Sequence, residues 1–80
     1  MELNPLFSDG TVFQTGRPIR IFGSGDGVAT VMLDGTSASA KSKDGVWLVE
    51  LPARPCGGPL EMEVRLDGET VVVRDVWNGA

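Results

Sequence analysis

A compact, immunoglobulin-like antiparallel β-sandwich is the all-β fold class that these 80 residues predict. Three observations predict it. Asp-Gly occurs at 9–10, 26–27, 34–35, 44–45 and 67–68, and the pair suits tight turns because Gly enters the left-handed region freely and Asp tolerates it. Between those turns apolar and polar residues alternate with the period of two that strands require. No segment carries the apolar spacing of a helix. About seven short strands fit at the 8–12 residue spacing typical of a sandwich, with a small barrel of five or six strands as the alternative arrangement.

The elements follow in order. Val12 to Gln14 and Pro18 to Gly23 read as two early strands, the second placing Ile19 and Ile21 on one face with Arg20 and Phe22 opposite. Val28 to Leu33 and Thr36 to Lys41 flank Asp34-Gly35 as a hairpin. Only Ala38 and Ala40 are apolar in its second arm, which predicts a weakly packed edge. Val46 to Leu51 puts Trp47, Val49 and Leu51 on one side, so Trp47 is expected in the core. Pro52 to Pro59 holds three prolines and two glycines and reads as a loop. Leu60 to Leu66 alternates apolar and charged residues, and Asp67-Gly68 turns it into Glu69 to Arg74. Trp77 falls beyond this last strand.

One domain, 1–80, accounts for the length, and a chain this short buries only about 60% of its unfolded surface. No staple is visible. Cys56 is the single cysteine and there is no histidine, which excludes an internal disulfide and a mixed zinc site. A net charge of −4, with Lys and Arg scattered, excludes a nucleic-acid partner. Lys41 and Lys43 read as solvated turn flanks. No apolar run approaches the ~20 residues of a membrane span. The start, Met1 to Pro5, lacks the basic and apolar stretches of a signal peptide; the compartment stays open, a secreted or periplasmic parent included.

The chemistry that the residues allow is narrow. Nucleophilic hydrolysis sets a serine or cysteine beside a base, usually histidine, and none is present. Ser39, Lys41 and Lys43 alternate along one edge-strand face and read as surface. Cys56 sits among prolines and glycines, with Arg54 the one charged residue nearby, and reads as a plain loop thiol. Gly23 to Val28 matches a dinucleotide-binding glycine loop only in part: Val28 stands where a third glycine belongs, and a strand follows where a helix is needed. Asp26 lacks the alternating carboxylates of a calcium loop, and Glu61 and Glu63 face solvent on one strand without a glycosidase-like partner. No catalytic, metal or cofactor residue is assigned and no cofactor is expected. Exposed aromatic rings leave sugar stacking open, with Phe22 and Trp77 as the candidates for a sugar or interdomain contact.

A family resemblance spans the chain in order. Asn4-Pro5-Leu6-Phe7-Ser8-Asp9-Gly10, Val12-Phe13-Gln14 and Pro18 to Gly23 open it, Asp44 to Pro52 with Gly57-Gly58 continue it, and Arg74 to Gly79 close it. The set resembles the N-terminal β-sandwich of sialate O-acetylesterases, serine carbohydrate esterases of the SGNH-hydrolase type. Departures are Thr11-Val12-Phe13-Gln14, where the family tends to Met-Val-Leu-Gln, and Phe22, where it often has Trp. The resemblance implies a catalytic block opening on Gly-Gln-Ser-Asn just after Ala80, so no catalytic residue carries over to these positions. What it implies for this chain is a non-catalytic accessory domain. Its partner would be the catalytic domain of the same polypeptide, and the parent would act on acetylated sialic acid or a related glycan. An independent carbohydrate-binding or adhesive module is the alternative. The accessory reading also predicts an apolar patch near Trp77.

Overall fold

The computed structural model describes residues 2–79, and among them lie eight strands: β1 (Glu2–Leu3), β2 (Val12–Gln14), β3 (Ile19–Ser24), β4 (Val28–Leu33), β5 (Thr36–Lys41), β6 (Val46–Leu51), β7 (Gly57–Leu66) and β8 (Glu69–Gly79). They form two sheets, of order β1-β3-β6 and β2-β8-β7-β4-β5. This is the all-β sandwich that the turn spacing predicts. The Cα radius of gyration is 11.8 Å, close to the ~12 Å of a compact chain of this length.

Three of the five Asp-Gly pairs behave alike. Asp34-Gly35, Asp44-Gly45 and Asp67-Gly68 have both residues at positive φ (47° and 79°, 55° and 76°, 48° and 82°), the condition for the type I′ turn whose twist matches that of a hairpin. The first and last join β4 to β5 and β7 to β8, with Leu33 opposite Thr36 and Leu66 opposite Glu69. The middle one closes a bridge between Lys43 and Val46, where the chain leaves the five-stranded sheet for the three-stranded one.

The core forms where the two inner faces meet. Ile19, Ile21, Trp47, Val49 and Leu51 come from the smaller sheet. Ala29, Val31, Leu33, Met62, Val64, Leu66, Val73 and Val76 come from the larger, and Phe7 from the segment between β1 and β2 plugs one side. Trp47 lies in this core at 1% exposure, its indole N–H donating to the Ser24 carbonyl at 3.2 Å. Ala38 and Ala40 on edge strand β5 are half-buried.

Beyond β1, which the sequence reading does not place, three features of the strands differ from it. Gly57, Gly58 and Pro59 belong to β7 and not to a loop, because Pro59 falls at a ladder irregularity, where a missing N–H costs no cross-strand bond. Strand β8 runs on from Arg74 to Gly79, so Trp77 lies within it. The third is direction: β2 pairs with β8 in parallel, Val12 beside Trp77, Phe13 beside Asn78 and Gln14 beside Gly79.

Candidate interaction surface

Two ladder irregularities converge on Trp77. Met62 pairs with Val73 but Leu60 pairs with Val76, so Arg74 and Asp75 together face the single residue Glu61. This is a β-bulge, and Asp75 takes the left-handed conformation within it (φ 53°). The extra residue shifts the alternation of β8 by one. Val73 and Val76 both point inward, and Trp77 is turned out at 43% exposure. On the neighbouring strand Gly58 and Pro59 together occupy the place opposite Trp77, between the Leu60–Val76 and Gly57–Asn78 pairs.

The indole rests on Gly58. A Cβ added there would lie 2.7 Å from Trp77 Cε3, 2.8 Å from Cδ2 and 2.9 Å from the Val76 carbonyl, and Gly58 has φ 143°. Only glycine combines that conformation with so close an approach. Val12, 65% exposed, sits in register beside the ring. The Trp77 backbone N–H donates to the Thr11 carbonyl at 2.9 Å, while its indole N–H meets no acceptor among the described residues. In the register, exposed Pro59, Trp77 and Val12 thus fall in one row across β7, β8 and β2, with Arg74 and Asp75 exposed just before Trp77 on β8.

Directly after Trp77, Asn78 turns inward between Phe13 and Gly57 and is 1% exposed. Among the described residues neither its Oδ1 nor its Nδ2 has a hydrogen-bond partner. Alternation gives no hint of this residue, because the bulge that places it inward leaves no compositional mark.

Phe22 occupies a different place and differs from expectation. It is half-buried, not an exposed ring, and packs edge-on against Phe7 (centroids 5.0 Å apart, planes at 82°). Alternation correctly puts it opposite Ile19 and Ile21, but the segment carrying Phe7 comes across to cover it. Its cross-strand neighbour Leu48 stays 52% exposed. Phe22 and Trp77 are on different sheets and form no joint site.

The residues weighed for chemistry are dispersed. The Ser39 hydroxyl bonds to Thr30 Oγ1 at 2.8 Å across β4 and β5. Cys56 is an exposed free thiol. Glu61 pairs with Arg74 at 3.3 Å and Glu63 with Arg65 at 2.9 Å. Among the described residues no three His, Cys, Asp or Glu side chains gather as a metal site would require, and no helix is long and apolar enough to cross a membrane.

No family model matches the chain, and no curated protein does. Among solved structures it is similar to a carbohydrate acetylesterase from Xanthomonas citri, with 37% sequence identity and a TM-score of 0.92. The match takes in 98% of this chain but 19% of that one. That class is broader than the sialate O-acetylesterases that the sequence resembles. Over nearly its whole length, then, the chain is similar to one small part of a carbohydrate acetylesterase.

Proposed function

We propose that this chain is the accessory β-sandwich of a carbohydrate O-acetylesterase of the sialate O-acetylesterase type, supporting an adjacent serine-hydrolase domain and contributing no catalytic group. One observation carries the reading: 98% of the chain superposes on an acetylesterase at a TM-score of 0.92, yet takes up 19% of that enzyme. The chemistry of the residues agrees with it. With no histidine in the sequence, no serine or cysteine has the usual partner that takes its proton in ester hydrolysis.

The test compares two polypeptides: the 80 residues alone and the full translated product that contains them. Each is assayed on p-nitrophenyl acetate and on acetylated saccharides. Turnover confined to the longer polypeptide is the expected result. Comparable turnover by the 80 residues alone sinks the reading. The exposed Trp77 also suits an independent sugar-binding module, which requires a saccharide-dependent change in the tryptophan fluorescence of the isolated domain.

A further inference from the structure

We infer that the row Pro59–Trp77–Val12 is the seat on which the remainder of the esterase polypeptide packs, an inference that rests on the accessory-domain reading above. Two separate irregularities, the Arg74–Asp75 bulge in β8 and the Gly58–Pro59 step in β7, cooperate to present a single indole. One turns the ring outward; the other removes the Cβ that would lift it off the sheet. Asp75 takes a conformation that L side chains adopt at a cost (φ 53°), while the Gly58 position (φ 143°) is open to glycine without one. A strained bulge and a bare glycine, both arranged around a ring left 43% in solvent, fit a ring that serves a contact.

The surroundings specify the occupant. In the register Val12 stands on one side of Trp77 and the Gly58–Pro59 step on the other, with no charged residue at these positions, while Arg74 and Asp75 precede Trp77 on β8. An apolar centre carrying a tryptophan, with a polar rim, is the composition of a protein–protein contact. A sugar platform needs hydroxyl-binding groups across from the ring, and here the cross-strand neighbours Val12, Gly58 and Pro59 offer no polar side chain. The indole N–H, open among the described residues, calls for a carbonyl or carboxylate acceptor on the partner. The similar acetylesterase has most of its chain outside the match, ample to supply such a surface. Other exposed apolar residues offer less. Met32 and Val72 are separated by Glu63 in the register, and beside Leu48 the Phe22 ring is already covered by Phe7.

Hydroxyl-radical footprinting with residue-resolved mass spectrometry tests this on the isolated 80 residues and on the full translated product, with acetylesterase turnover measured on the same preparations. Oxidation of Trp77 is expected to fall about fivefold or more in the full product, as burial at an interface core requires. Met32, on the same sheet away from the seat, should keep its rate. Full turnover with Trp77 oxidised as fast as in the isolated domain overturns the inference and leaves the accessory reading standing. A full product without turnover on acetylated saccharides overturns the reading, and the inference falls with it. Protection of Trp77 in the isolated domain by millimolar acetylated oligosaccharide overturns the inference in favour of a sugar site.

Discussion

Gly58 is the residue on which the geometry of the β2–β8 edge turns. Gly58→Ala forces a side chain into a positive-φ conformation and drives its methyl into the Trp77 ring, at a cost of about 2–4 kcal/mol read by urea unfolding. In a Trp77→Ala background the ring clash is gone while the Val76 carbonyl contact and the backbone strain remain, so the same substitution should cost measurably less but still destabilise. Asn78 makes the opposite prediction. Its amide is buried with both ends unpartnered, and each such group carries a desolvation penalty of about 1–3 kcal/mol. Asn78→Leu should therefore hold or raise the thermal midpoint. A loss above about 1 kcal/mol would reveal a buried water serving the amide.

At the scale of the element, the type I′ turns carry the sheet register. Gly68→Ala and Gly35→Ala each place a Cβ at a φ near 80° and should cost about 1 kcal/mol, whereas Asp67→Asn should change stability by less than about 0.5 kcal/mol, since Asn suits the left-handed position at least as well. Chemical denaturation of the three variants against the parent chain decides both. These turns were legible because Asp-Gly between alternating segments has few other meanings. So were the faces of β3 and β6, including the inward Trp47. The end of β8 was not. A bulge shifts the alternation by one, and Arg74-Asp75 looks like the end of a strand unless the pairing opposite Glu61 is known. The start of β7 was hidden for a related reason: glycine and proline signal a loop, yet both fit a strand at the point where its ladder is interrupted. Phe22 escaped because its cover, Phe7, arrives from a distant segment.

For the whole molecule, stability rests on the core and little on charge. Arg20–Glu50, Arg54–Asp34, Arg65–Glu63 and Arg74–Glu61 each have at least one partner more than half exposed, and such pairs contribute about 0–1 kcal/mol each. Unfolding midpoints measured at 0.1 M and 1 M NaCl should accordingly stay close. Trp47 is the contrasting case. Truncating so large a buried side chain costs about 3–5 kcal/mol, much of the total for a small domain, so Trp47→Ala should abolish the cooperative transition. The parallel register of β2 with β8 has one more consequence, a mechanical one. Tension applied between the early part of the chain and its last strand loads the Val12–Trp77, Phe13–Asn78 and Gln14–Gly79 pairs lengthwise, all three in shear at once. They would have to rupture together instead of unzipping one by one, which makes this edge a mechanical clamp.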